Sequence, residues 1–411
     1  MYGNKHSLAQ PKYLRQLARY TLVAICLFGF ATVAIAQQTV KNIDIAYIKK
    51  ETEVLPKMSN IELPPEDDGA LGGEQGIKDS NTTGKFLGHN YTLESVILGE
   101  NDEVAKALDE LFKKGIRHFV VNLSAEELLA TADSEQGKQS WFYNIDAEDD
   151  FLRTKECRQN IFHITPSHAM RADALAQYLI AKKWDKWFLV EGKRQSDAGF
   201  AVALRKAAKK FGGKIVAEKK WDFDTADMRR TAASTVPVFT QDAPDYDVLI
   251  VADMVGEFGE YLMYKTWKPL VVAGSQGLTP VTWHQAHEQW GAAQIQKRFR
   301  KNFGHPMSEK DYGVWSAVRS ISEAVTRSQS VADKDIAAYI RSDKFELAGY
   351  KGQPMTFRTW NQQLRQPILL VSPKSLVSVS PQNQFLHQRS QLDTLGFDDY
   401  EVECKLNEVK Q

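Results

Sequence analysis

His284 and His287, in His284-Gln-Ala-His287-Glu288, offer two imidazoles at i, i+3. A helical zinc site of the H-E-x-x-H kind needs i, i+4, so on a surface helix this pair is expected to be solvated. Ala147-Glu148-Asp149-Asp150 is an acidic run just past a strand end, where an open α/β sheet presents groups to a ligand. The same run would also suit a helix N-terminus, where acids complement the dipole. Gly69-Ala-Leu-Gly-Gly-Glu-Gln-Gly76 lacks both glycine patterns of phosphate-binding loops, and no G-x-S-x-G elbow occurs. With no nucleophile beside a positioned base, enzymatic chemistry is not expected.

The elements that must position these groups alternate. Strands are expected at Asn42–Ile48, His118–Leu123, Trp141–Ile145, Trp187–Val190, Lys214–Ala217, Asp247–Ala252 and Pro269–Ala273. Helices fall at Asp102–Lys114, from Pro166-Ser167 to about Lys183, at Ala198–Phe211, near Phe258–Lys265, at Gly291–Phe303, Tyr312–Gln329 and Asp333–Ser342. After Gly349 the texture turns to β. This alternation predicts parallel sheets with helices on both faces, and the length calls for two doubly wound lobes with a ligand cleft between them. Trp184, Trp187 and Trp221 read as lobe core rather than as a stacking platform.

The 411 residues carry 52 Lys+Arg and 52 Asp+Glu, with 43% hydrophobic residues. These values argue against disorder, a many-span membrane protein and a nucleic-acid face. The balance is uneven: residues 1–36 hold Lys5, Lys12, Arg15 and Arg19 and no acid, so the remainder has an acidic excess. The four cations precede the apolar run Tyr20–Ala36, which ends in Ala34-Ile35-Ala36. That is the layout of a secretory signal peptide, and the small residues favour cleavage over an uncleaved anchor. Ile25 before Cys26 argues against lipidation. Export then leaves Cys157 and Cys404, an even pair expected to form a disulfide in an oxidising compartment.

Several segments together give a resemblance: Glu66-Asp-Asp-Gly-Ala70 leading to Asn81-Thr-Thr-Gly84, then Asn160-Ile-Phe-His-Ile-Thr-Pro-Ser167 before an Ala-rich helix. The chain resembles the type I periplasmic substrate-binding proteins of ABC transporters, of the branched-chain amino-acid-binding kind. Phe357-Arg-Thr-Trp360, Gln363-Leu-Arg-Gln-Pro367 and Leu392-Asp-Thr-Leu-Gly396 resemble a subgroup associated with pyrroloquinoline-quinone-dependent alcohol dehydrogenase systems. The resemblance implies two Rossmann-like lobes joined by a three-segment hinge, with lobe 1 at 38–157 and 280–350 and lobe 2 at 158–279 and 351–411. It also implies a periplasmic monomer without a cofactor that captures a small molecule and delivers it to the permease subunits of the transporter.

Carried onto this chain, the resemblance places ligand contacts at Ser124, Ala125, Ala147, Glu148, Ser196, Asp197, Asp253, Met254 and Gln276. Glu148 stands where a Thr usually completes a carboxylate site, and Gln276 where a Glu holds an ammonium. A carboxylate beside a ligand carboxylate is repulsive, and an amide gives an ammonium no charge-assisted bond. The expected ligand is therefore not a simple α-amino acid. It is an uncharged metabolite, or a cation held by Glu148, Asp149 and Asp253. The alternative to transport is a periplasmic adaptor or sensor that partners the dehydrogenase.

Overall fold

The computed structural model describes residue 3 and residues 40–52, 69–223, 225–404 and 406. The expected signal peptide, Cys26 and residues 66–68 lie outside them. Among the described residues no helix is long and apolar enough to cross a membrane.

The first half of the chain runs β1 (Lys41–Lys50), α1 (Ala70–Leu87), β2 (His89–Leu98), α2 (Val104–Lys113), β3 (His118–Asn122), α3 (Ala125–Asp133), β4 (Trp141–Asn144), α4 (Phe151–Thr154) and β5 (Ile161–His163). The strands form one parallel sheet in the order β2-β1-β3-β4-β5. Alternate residues of a strand face opposite sides. Ile45 and Tyr47 therefore enter one core, and Ala46 and Ile48 enter the other. Both faces are covered, which is why β3 is apolar along most of its length.

The second half repeats the plan with α5 (His168–Ala181), β6 (Lys186–Glu191), α6 (Gln195–Phe211), β7 (Lys214–Lys220), α7 (Thr225–Gln241), β8 (Val248–Ala252), α8 (Gly259–Leu262) and β9 (Val271–Gly274). Its parallel sheet has the order β7-β6-β8-β9. Leu189 and Ile250 face the core under α5 and α6, while Phe188 and Leu249 face the core that holds Trp221 and Phe258. Trp187 and Trp221 are buried core residues, as the sequence indicates.

The chain then crosses back. After β10 (Thr279–Val281), helices α9 (Ala292–Phe303), α10 (Glu309–Ser328) and α11 (Asp333–Arg341) pack on the first sheet. A two-stranded ladder of β11 (Thr356–Phe357) and β12 (Leu364–Arg365) follows, and β13 (Ile368–Ser372) and β14 (Ser375–Ser380) join β10 in an antiparallel sheet beside the second lobe.

Two expected boundaries shift. β5 pairs with β4, so residues 161–163 belong to the first sheet although they were expected in lobe 2. Met355, Phe357 and Leu364 are buried in the first core, so lobe 1 continues past residue 350. The three crossings lie near Thr165, Thr282 and Gln366. The His284–His287 segment is a turn rather than a surface helix.

Candidate functional site

The carboxyl ends of β4, β5, β8 and β9, together with the N-terminal end of α10 and the three crossings, line an open cavity of about 400 Å³. That is the size range of small-molecule sites, and the place where open α/β sheets bind ligands. Ile145, Ile164, Phe200, Met254, Pro280 and Val281 supply apolar walls, while Glu148, Arg171, Asp253, Gln276, Glu309 and Lys310 supply polar groups.

The charged groups are matched to one another. Arg171, in the first turn of α5, reaches Glu148 Oε1 at 2.7 Å and Glu309 Oε1 at 2.9 Å, and it donates to the Pro280 carbonyl at 2.7 Å. Glu309 Oε1 also accepts from the Thr282 amide at 2.6 Å and its hydroxyl at 2.8 Å. Lys310 pairs with Asp146. Burial alone would raise the Glu148 carboxyl, but the Arg171 charge and the His168 ring 3.5 Å away outweigh it and hold Glu148 at about 2. Burial also opposes the charge of Arg171, and Glu148 with Glu309 overcomes that and raises its pKa. Behind Gln366, buried Lys351 donates to the Gln366 side chain at 2.8 Å and the Pro367 carbonyl at 3.0 Å. Burial, with nearby Arg171, pushes its ammonium well below the ordinary value.

Asp253 is 1% exposed and saturated: Oδ1 accepts from the Glu257 amide at 2.8 Å, and Oδ2 from Phe258 at 2.8 Å and Gly259 at 2.7 Å. Gly274 closes β9 with φ 110°, and a Cβ there would lie 2.2 Å from the Val251 carbonyl. Only glycine fits that turn, which delivers Ser275 and Gln276 to the cavity.

Of the residues named from sequence, Glu148, Asp253, Met254 and Gln276 line the cavity. Ser124, Ala125, Ala147, Ser196 and Asp197 lie outside its lining. Ser124 caps α3 in a reciprocal box with Glu127, and Ala125 and Ala147 are packed in the first lobe's core. The Ala147 carbonyl is taken by Asn144 and Arg153. Ser196 is half-buried in the first turn of α6. Asp197 is fully buried and accepts from the Met254 amide at 2.7 Å and the Arg194 amide at 3.1 Å, bracing two loops.

A cation held by Glu148, Asp149 and Asp253 is not supported. Glu148 is neutralised by Arg171, Asp253 is filled by backbone amides, and among the described residues no cluster of His, Cys, Asp or Glu could hold a metal. The expected Cys157–Cys404 disulfide is formed. Sequence reading missed Arg171, Thr282, Glu309 and Lys310. Arg171 had a signal: in α5, otherwise rich in Ala and Leu and almost wholly buried, Arg171 and Asp173 are a guanidinium and a carboxylate that need partners.

Residues 67–251 match the family described as periplasmic binding protein. No curated protein matches the chain. Among solved structures, a branched-chain amino acid ABC transporter periplasmic ligand-binding protein from Burkholderia xenovorans is 15% identical with a TM-score of 0.69, over 89% of this chain and 100% of that one. A leucine-, isoleucine-, valine-, threonine- and alanine-binding protein from Brucella ovis in closed conformation is 14% identical with a TM-score of 0.63, over 86% and 93%. A solute binding protein of an R. palustris ABC transporter, in complex with benzoate, is 12% identical with a TM-score of 0.60, over 82% and 96%. Two parallel-sheet lobes, three crossings and a cavity between them give this chain the fold of the type I periplasmic binding proteins.

Proposed function

We propose that this chain is the solute-binding component of an ABC transporter, exported by its N-terminal segment, and that its interlobe cavity takes an uncharged polar metabolite. One observation carries the choice of ligand. The charges in the cavity are already met, Arg171 by Glu148 and Glu309 across the lobes, Lys310 by Asp146 within the first lobe and Asp253 by backbone amides, whereas Gln276, Thr165 and Thr279 line it with side-chain polar groups that have no hydrogen-bond partner among the described residues. A zwitterionic amino acid would have to displace Arg171 from Glu148 or forgo charged partners, and either choice costs affinity. An alcohol or amide needs only the neutral donors and acceptors, set among apolar walls. In this reading Glu148, Met254, Asp253 and Gln276 shape the site, with Glu148 and Asp253 acting through Arg171 and through the loop after β8.

The motifs at Phe357–Trp360, Gln363–Pro367 and Leu392–Gly396 are the support for a setting beside a pyrroloquinoline-quinone-dependent alcohol oxidation system. An alcohol-related solute suits that setting.

The test is a thermal-shift screen of the purified protein against alcohols, polyols, aldehydes, amides, carboxylates and amino acids. A neutral polar solute should raise the melting temperature with a concentration dependence set by mass action. Micromolar binding of leucine or alanine would overturn the ligand assignment. Capture of the dehydrogenase without any small-molecule response would instead favour an adaptor.

A further inference from the structure

The interlobe cleft leaves unused a second open cavity, of about 530 Å³, on the second lobe. It lies along β9, the edge strand of that lobe's sheet, where the last turn of α5, the loop after α8 and the turn joining β13 to β14 come together. It shares no lining residue with the cleft.

Its walls are apolar. Trp184, Met263, Leu270, Leu278 and Val377 line it, and Leu270 and Val377 keep 38% and 43% of their surface exposed. A cavity of this size and lining suits a small apolar molecule, which removes that surface from water.

The free polar groups on the wall are donors. No Asp or Glu lines the cavity. The Thr266 hydroxyl donates to the Lys268 carbonyl at 2.7 Å, and the Ser372 and Ser375 hydroxyls bond each other at 2.7 Å, so these are engaged. Tyr178 is 8% exposed, and its hydroxyl has no hydrogen-bond partner among the described residues, yet it is not sealed from water. Burial raises the Tyr178 pKa, so the hydroxyl keeps a proton to donate. Trp184 meets the Tyr178 ring edge-on, and its indole N–H is likewise unpartnered and accessible. An indole N–H can only donate. Beside them Lys182, exposed and with no ion-pair partner among the described residues, holds its ammonium over the Tyr178 ring at 5.4 Å from the centroid. Two donors and a cation at one end of an apolar wall call for an anionic acceptor with an apolar tail.

We propose that this cavity is a second binding site, for an alkyl carboxylate of medium chain length: the carboxylate accepts from the Tyr178 hydroxyl and the Trp184 indole beside the Lys182 ammonium, and the chain lies against Leu270, Leu278 and Val377. The site is independent of the interlobe cleft and stands whatever the cleft binds.

The probe is octanoate, titrated calorimetrically into the purified protein at neutral pH and low salt. Octanoate should bind, and hexanoate, two methylenes shorter, should bind about tenfold more weakly. Tyr178→Phe keeps the ring and removes the donor, and should weaken octanoate about tenfold. Lys182→Gln, at an exposed position, should weaken it about threefold and leave 1-octanol unaffected. Leu270→Asp, also at the surface, should abolish binding by placing a carboxylate in the path of the chain. Equal affinity for octanoate and hexanoate would overturn the proposal, as would tighter binding of 1-octanol than of octanoate. So would undiminished octanoate binding to Leu270→Asp or to Tyr178→Phe, which would place the ligand elsewhere, or no octanoate binding at millimolar concentration.

Discussion

Arg171 and Glu148 meet at 2.7 Å across the boundary between the lobes, one on the first turn of α5 and the other in the loop after β4. Their side chains are 9% and 14% exposed, and Glu309 shares the guanidinium from the N-terminal end of α10. Arg171→Met keeps the bulk of the side chain but leaves two carboxylates without the guanidinium that bridges them. Removing one partner of a buried pair costs about 3–5 kcal/mol. Urea unfolding of the ligand-free protein should show a loss of that order, and Arg171→Met with Glu148→Met should recover part of it.

The same pair sets an acid sensitivity. Glu148 titrates at about 2 in the folded chain against an ordinary 4.5, so the folded state binds fewer protons than the unfolded state between those values. Its contribution is fully present above pH 4.5 and is lost as the pH falls toward 2. Glu148→Gln should flatten this part of the melting-temperature profile between pH 2.5 and 5. A wild-type profile with no greater acid slope than the variant would show that Glu148 is not held down by Arg171.

The alternation of strands and helices was legible because the central strands are continuous apolar runs bounded by glycine or polar turns. Helix α1 was not, because Gly72, Gly73 and Gly76 interrupt its apolar spacing. They are there for contact: a Cβ at Gly72 would lie 2.0 Å from the Asp311 carbonyl on α10, a constraint set by a partner far along the chain. The site shows the same division. The resemblance pointed to Glu148, Asp253, Met254 and Gln276, all on the cavity wall. Arg171 and Glu309, which determine what Glu148 can do, come from helix starts whose meeting depends on how the lobes pack. Ser124 lies off the cavity lining: a Ser after a strand suits both a ligand contact and a helix cap, and with Glu127 three residues later it forms the cap of α3.

Gly274→Ala tests the turn that presents Gln276. A side chain at φ 110° and 2.2 Å from the Val251 carbonyl strains the backbone by at least about 1–3 kcal/mol. The melting temperature should fall, and any solute that stabilises the parent should lose its effect. A variant with parental melting and binding would show that the turn tolerates a Cβ.

The Cys157–Cys404 disulfide ties the chain's end to the first lobe, where the Glu403 amide also bonds the Thr154 carbonyl at 2.8 Å. It spans 247 residues, so opening it releases a long loop in the unfolded state. Cys404→Ser, or reduction, should cost about 2–5 kcal/mol in urea unfolding. No change in midpoint would mean that the reduced unfolded chain is already constrained.

The motifs that suggest the quinone-dependent setting meet in a buried knot. Asp393 Oδ1 accepts from Arg358 Nε at 2.9 Å and Arg365 Nε at 2.8 Å, and Arg358 also donates to the Leu395 carbonyl at 2.6 Å. Arg358 is 1% exposed, and burial with its neighbour Arg365 lowers its pKa while Asp393 opposes that. A carboxylate shared by two guanidiniums has no neutral substitute, because each cation would keep its desolvation cost and lose its counter-charge. Asp393→Asn should therefore destabilise the protein by about 3–5 kcal/mol, more than Arg365→Lys, whose side chain is 15% exposed and can reach water. The knot lies off the cavity lining, so at temperatures where Asp393→Asn remains folded its solute affinity should match the parent's. A variant that keeps its unfolding midpoint but fails to bind would instead tie these motifs to the ligand.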